Sequence, residues 1–303
     1  MSVNLTRRQF LLAAAAGSLL PQSGRAANAS AASQPKPAAK RKLAVVLGGG
    51  SARGFAHIGV IKALERAGIV PDLIVGCSAG SLVGAFWAAG FTGAQMEETA
   101  LRVQDTEVID LVSGKAQYGL VGGRGLQTFV NYYLGNKPIE QLKIPFTAVA
   151  TEYPSGVLTT FTQGDTGFAV RASCSIPGVF IPASSDNKDF VDGGLVSPIP
   201  VATARAQGAN LVVAVDVGGP DRSPEGTRTL FTMVMRSFEI MSQSLRQHEI
   251  RQADVLIRPD LAHIRSTDFS SRRTAILLGQ AAGERLVPVI LAKLGTGRPS
   301  RRR

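Results

Sequence analysis

An α/β fold built on a mostly parallel sheet is predicted by three observations. Short apolar runs alternate with longer stretches of helical apolar spacing, the runs are continuously apolar, and glycines punctuate most junctions. A strand buried on both faces reads as an unbroken apolar run, and such strands belong to parallel sheets covered by helices. The 303 residues, 45% of them hydrophobic, suffice for one large α/β core.

Residues 43–47 are an apolar run bounded by glycines, read as a buried strand, and Gly48 to Gly54 form a Gly-rich turn. Ile58, Ile61 and Leu64 set helical spacing over 55–67, which Gly68 stops. A second buried strand over 73–75 leads through a tight turn into a helix over 81–89, ended by Gly90. Residues 92–134 read as helices broken by glycines at 114, 119, 122, 123 and 125. Strands over 146–152 and 157–162 form a hairpin across Pro154-Ser155-Gly156. A short strand over 190–192 enters Gly193-Gly194, and another buried strand covers 211–216. Long helical patterns fill 227–251 and 271–294.

Charge is distributed unevenly. The net +11 arises in the tails: Arg7, Arg8 and Arg25 in residues 1–29, Lys36, Lys40, Arg41 and Lys42 in residues 30–42, and Arg298, Arg301, Arg302 and Arg303 at the end. The body between them holds 22 basic and 22 acidic residues. A nucleic-acid enzyme needs a basic stripe on its folded surface, and none is expected here. The basic tails are solvated ends or brush an anionic lipid surface.

Residues 1–29 read as a targeting segment. Arg7-Arg8 precede an apolar run from Phe10 to Leu20 that is too short to span a bilayer, and Ala27-Asn28-Ala29 offers small residues for cleavage. This resembles a twin-arginine export signal, which carries folded cargo to the bacterial periplasm or the membrane periphery. Residues 30–42 follow as a flexible basic linker, 43–297 as the folded domain, and 298–303 as a basic tail. No later stretch is expected to cross a membrane. Cys77 and Cys174 are expected to be small core residues, since two cysteines make no disulfide framework.

The strongest chemical signal is Gly76-Cys77-Ser78-Ala79-Gly80, a G-x-S-x-G between a buried strand and a helix. Glycines two positions either side, Gly76 and Gly80, allow the sharp turn that exposes a serine hydroxyl at a helix N-terminus. There, unpaired amides favour developing negative charge. The second signal is Gly48-Gly49-Gly50-Ser51-Ala52-Arg53-Gly54, whose amides can cradle an anion. It fits dinucleotide binding poorly, because Ala52 and Arg53 stand where the last glycine is wanted and Asp72 precedes its strand. An oxyanion hole suits it better, since adjacent parallel strands open at one edge. The third signal is Asp192, ending a short strand and released by Gly193 and Gly194. Asp216 is an equally plausible carboxylate by spacing alone.

GGGSARG followed by FAHIGVIKALE, then GCSAGS, then DGG, resembles the patatin-like phospholipase family in its bacterial branch, over residues 42–209. The resemblance implies a three-layer α/β/α fold with a mostly parallel central sheet. It also implies a Ser–Asp dyad that hydrolyses acyl esters of lipids; the sequence offers no metal-ligand cluster and no nucleotide motif, so no cofactor and no nucleotide are expected. By position Ser78 matches the nucleophile and Asp192 the base. Gly49, Gly50 and Ser51 match the oxyanion loop, flanked by Gly48, Gly54 and Ala79, and Arg53 is its basic residue. Ser51 stands where many members have glycine, and Cys77 where threonine is frequent.

Other readings remain beside these. Arg53 meets a lipid phosphate or braces the loop against a carboxylate, and His57 is a packing residue rather than a base. The region 120–133, with Phe129, Tyr132 and Tyr133, covers an acyl pocket or packs on the core. An α/β-hydrolase triad would use Ser78, Asp192 or Asp216, and His248 or His263, although the serine then comes after only the second strand. A lipid-binding protein without activity is the third reading. The substrate is a lipid or acyl ester, peripheral membrane contact is expected, and the oligomeric state stays open.

Overall fold

The computed structural model describes residues 41–112, 119–219 and 229–295. The leader, linker residues 30–40, Gly114 and the tail 298–303 lie outside the described residues, as do the readings placed on them.

The elements in chain order are β1 (Leu43–Leu47), α1 (Phe55–Arg66), β2 (Leu73–Cys77), α2 (Ala79–Ala89), α3 (Gly93–Arg102) and α4 (Asp105–Val108). They continue with α5 (Arg124–Leu134), β3 (Phe146–Tyr153), β4 (Leu158–Phe161), α6 (Thr166–Ser173), β5 (Ala183–Ser185) and β6 (Lys188–Asp192). The last are α7 (Val201–Ala206), β7 (Leu211–Val215), α8 (Leu230–Glu249), β8 (Val255–Ile257) and α9 (Arg272–Leu294). The eight strands lie in one mixed sheet with the order β5-β6-β3-β2-β1-β7-β8, and β4 also pairs with β3. The pairs β3–β2, β2–β1, β1–β7 and β7–β8 are parallel, and those made by β4, β5 and β6 are antiparallel.

Strand periodicity explains the layering. Leu43, Val45 and Leu47 of β1 join Leu211, Val213 and Val215 of β7 in a core with α1, α2, α5 and α9. Ala44 and Val46 join Val212 and Ala214 in a second core on the opposite face, with Val201 and Ala204 of α7. Successive side chains point to opposite faces, so a run apolar at every position is what two covered faces require. The predicted three-layer α/β/α arrangement is observed.

Four elements escaped the sequence reading. β5 and β8 have three residues each, and α6 and α7 have eight and six. These are too short for a period to accumulate. The expectation that no later stretch could cross a membrane also needs correction. Residues Phe269–Leu294 are long and apolar enough by length and composition, with a third of the most apolar window buried. Part of that apolarity serves packing of α9 on α1. A Cβ at Gly59 would lie 1.9 Å from the Ile276 carbonyl oxygen, and one at Gly279 2.0 Å from that of Ala56. Only glycine permits backbones to approach so closely.

Candidate active site

Ser78 sits between β2 and α2 with φ 51° and ψ −126°, a left-handed conformation that a non-glycine residue adopts only when its surroundings impose it. The surroundings do so through the flanking glycines. A Cβ on Gly80 would lie 2.1 Å from the Leu47 carbonyl oxygen, and one on Gly76 2.5 Å from Ser81 Cα. The elbow is therefore pressed directly onto the end of β1. Ser173 Oγ, at the end of α6, accepts the Ser78 N–H at 2.8 Å. No sequence signal singled out Ser173, because α6 itself was not foreseen.

The Ser78 hydroxyl donates to Asp192 Oδ2 at 2.6 Å, and both residues are buried. Asp192 Oδ1 accepts the Gly194 N–H at 2.7 Å. Burial pushes the Asp192 carboxyl up to about 6, opposed by the hydrogen bonds from Ser78 and Gly194. The meeting depends on an overhang. β2 ends beside Val149, but β3 runs on through Tyr153, and the antiparallel β6 returns along that extension until Asp192 pairs with Ala150. Asp192 thus reaches the nucleophile from the direction opposite to the parallel strands.

The Gly-rich loop lies against the same point. A Cβ on Gly49 would be 3.4 Å from Ser78 Cβ, and one on Gly54 2.4 Å from Ala79 Cβ. The Gly48 and Gly49 N–H groups donate to the carbonyls of Val215 and Pro198 at 3.0 and 2.9 Å. Those of Ala52 and Arg53 donate to Ser266 and Gly50 at 3.0 and 3.1 Å. The N–H groups of Gly50 and Ser51, and of Ala79 in the first turn of α2, have no acceptor among the described residues. All three residues line the cavity that contains Ser78. Gly48 and Gly49, read from the sequence as part of the anion site, instead anchor the loop through their amides. Ser51 has φ 49°, the left-handed conformation that glycine adopts at least cost.

Two side chains brace this loop. Arg53 is buried and donates from Nε to the Ile264 carbonyl at 2.6 Å and from Nη1 to that of Gly219 at 2.9 Å. His57 is fully buried, and its Nε2 lies 2.8 Å from the Gly48 carbonyl oxygen. Burial pushes His57 down to about 4, so the neutral ring donates Nε2–H to that carbonyl.

The remaining candidates fall elsewhere. Asp216 is held by Arg258 at 2.8 Å and by Arg246 at 3.8 Å. His248 and His263 are exposed and do not line the cavity. Cys77 and Cys174 are free and buried, and burial pushes both thiols up, which keeps them protonated.

The cavity around Ser78 has a volume of about 590 Å³ and a mainly apolar lining, with Leu82, Val83 and Phe86 from α2 and Phe129 from α5. Its further wall carries Met235, Phe238, Ile240 and Met241 of α8. Phe129 and Tyr133 pack on Phe86 with ring centroids 5.9 and 5.8 Å away, while Tyr132 is exposed, so α5 both packs on the core and lines the pocket. A second cavity of about 610 Å³, lined by Arg124, Asn131 and Arg171 among others, does not include Ser78. Among the described residues no cluster of three His, Cys, Asp or Glu could hold a metal ion.

Comparison with known proteins finds relatives of this chain. An "uncharacterized NTE family protein" of Mycobacterium tuberculosis is 36% identical over 204 residues, 63% of this chain and 55% of that protein. Human "patatin-like phospholipase domain-containing protein 6" is 35% identical over 194 residues, 61% of this chain and 14% of that protein. The chain thus spans about half the length of the mycobacterial relative. Among solved structures, VipD from Legionella pneumophila aligns over 82% of this chain and 67% of its own, with TM-score 0.47 and 13% identity. A profile described as patatin-like phospholipase matches residues 45–205, just over half of the sequence. The chain belongs to the patatin-like phospholipase family.

Proposed function

We propose that this protein is a serine lipid acyl hydrolase, cleaving carboxylic esters of lipids through an acyl-enzyme on Ser78 with Asp192 as its base. The observation that carries the reading is the 2.6 Å hydrogen bond from Ser78 Oγ to Asp192 Oδ2. It joins a hydroxyl on a strained elbow to a carboxylate whose basicity burial has raised. As Oγ attacks the ester carbonyl carbon, its proton passes to Asp192. The carbonyl oxygen becomes an oxyanion that the Gly50 and Ser51 amides face, with Ala79 at the positive end of α2. The ester C–O bond then breaks, and the leaving alcohol takes the proton from Asp192. Water repeats the sequence on the acyl-enzyme, giving its proton to Asp192 and releasing a fatty acid. The apolar cavity beside Ser78 suits an acyl chain.

A fluorophosphonate should label Ser78 alone, and Ser78→Ala should lose both labelling and nearly all esterase activity while melting like the wild type. Turnover that survives in this variant refutes the assignment. The same probe separates the enzyme from a lipid-binding protein without activity.

We further propose that residues 1–29 are a twin-arginine export signal, 30–42 a linker and 43–297 the hydrolase domain. Destination would then be the periplasm or the membrane periphery, with the basic tail 298–303 solvated or at the lipid surface. The paired Arg7 and Arg8 ahead of a weakly apolar run support export. Replacing both with lysine should retain precursor in the cytoplasm, and normal export of that variant would point to the general secretory route.

A further inference from the structure

The segment that fixes the oxyanion loop is itself held by a buried carboxylate for which the reaction has no use. Glu249 is the last residue of α8 and is buried. One of its oxygens, Oε1, accepts the hydroxyl of Ser197, and the other, Oε2, accepts the Ile199 N–H at 2.7 Å. Between those two residues stands Pro198, whose carbonyl accepts the Gly49 N–H at 2.9 Å. The Ile199 side chain also backs the loop, 3.1 Å from where a Cβ on Gly48 would lie. A single carboxylate thus pins both sides of the carbonyl that holds the loop at Gly49, immediately before Gly50 and Ser51, whose amides have no acceptor among the described residues.

We propose that Glu249 is a positioning residue for the oxyanion loop, acting through Ser197, Pro198 and Ile199. This rests on the hydrolase reading of Ser78. Without the carboxylate, the 197–199 segment loses two hydrogen bonds, and the Pro198 carbonyl is free to shift with it. Gly49 follows that carbonyl, and the Gly50 and Ser51 amides follow Gly49. Such displacement costs transition-state stabilisation while the acyl-binding walls remain in place, so it appears in kcat rather than KM. Because Glu249 ends the helix that lines the far wall of the cavity, the same contact ties α8 to the oxyanion loop.

Burial pushes the Glu249 carboxyl up to about 7, so both protonation states are populated near neutrality. The Ser197 hydroxyl serves either state, donating to the carboxylate or accepting from the acid. Glutamine reproduces the second arrangement, with Nε2 donating to Ser197 Oγ and Oε1 accepting from Ile199 N–H. Leucine reproduces neither.

The test compares Glu249→Leu and Glu249→Gln in the full chain, using a 4-nitrophenyl acyl ester and a fluorophosphonate. Glu249→Leu should lower kcat by about 10- to 100-fold with KM within about threefold, and slow phosphonylation of Ser78 in parallel. Glu249→Gln should stay within about threefold of wild type in both assays, since it preserves both contacts. If Glu249→Leu does not fold, Ser197→Ala decides by removing one of the two contacts, with an expected loss of about 3- to 10-fold in kcat at constant KM. Wild-type kcat in the leucine variant, or in Ser197→Ala where that variant decides, overturns the proposal. So does a loss in Glu249→Gln as large as in Glu249→Leu. A wild-type protein that neither turns over ester nor labels at Ser78 removes the hydrolase reading first, a result distinct from any of these.

Discussion

Around Ser78 almost every backbone position is set by a neighbour it touches, whereas α8, which lines the same cavity, leaves much of its apolar surface exposed. Gly76, Gly80 and Gly54 have no room for a side chain, and four of the loop amides already have backbone acceptors. On α8, by contrast, Leu230, Met233, Val234, Ile240 and Met241 are exposed, although Ile240 and Met241 also line the cavity. Under the proposed function the two regions have different tasks. Holding a nucleophile, a base and two donors in register tolerates errors of well under 1 Å, and close-packed backbone supplies that rigidity. Accepting acyl chains demands apolar area without fixed shape, which exposed methionine and aliphatic side chains supply.

The comparison breaks most severely at the carboxylate. Asp192→Asn should reduce kcat by about 10⁴-fold or more, because amide nitrogen or oxygen cannot take the Ser78 proton. His248→Ala and His263→Ala should each remain within a few-fold of wild type. A severe loss in either, with the fold intact, would replace the dyad by a triad. The pH profile should agree in sign. Only the ionised Asp192 serves as base, and its carboxyl is raised to about 6, so kcat/KM should fall as pH drops through 6 and level off above it. An ordinary histidine titrates near 6.5, so the decisive result is that both histidine variants keep the same inflection.

At the rigid edge the expected effect is on stability. Gly80→Ala would place a methyl 2.1 Å from the Leu47 carbonyl oxygen, where only backbone movement relieves the clash. It should cost about 3 kcal/mol and lower the melting temperature clearly. A variant that melts like the wild type would mean the elbow is softer than its packing indicates. The smallest effect belongs to α8. Ile240→Ser and Met241→Ser are exposed changes and should alter stability by less than about 0.5 kcal/mol. They should raise KM a few-fold for long acyl chains and leave short-chain esters unchanged. Equal effects on both chain lengths would remove α8 from the acyl path.

The sequence by itself carried the α/β class, most of the strands and helices, and the three motifs, because each depends on local chemistry. A buried parallel strand must be apolar throughout, a helix must repeat near 3.6 residues, and an elbow must have glycines beside its serine. By spacing alone Asp192 and Asp216 were equivalent, each ending an apolar strand, and only the family resemblance of the DGG motif favoured Asp192. Tertiary structure distinguished them. The overhang of β3 carries Asp192 to Ser78, while Asp216 is held by Arg258 and Arg246. The loop divides in the same way. GGGSARG indicated an anion cradle, but the partners of Gly48 and Gly49, Val215 of β7 and Pro198 beside Ile199, lie 167 and 149 residues away in the chain. Which amides remain for an oxyanion is decided by those distant acceptors, just as Ser173, His57 and Glu249 gain meaning only from what folding sets beside them. Local pattern dictates which backbone shapes a segment can adopt, and long-range packing determines which polar groups meet there.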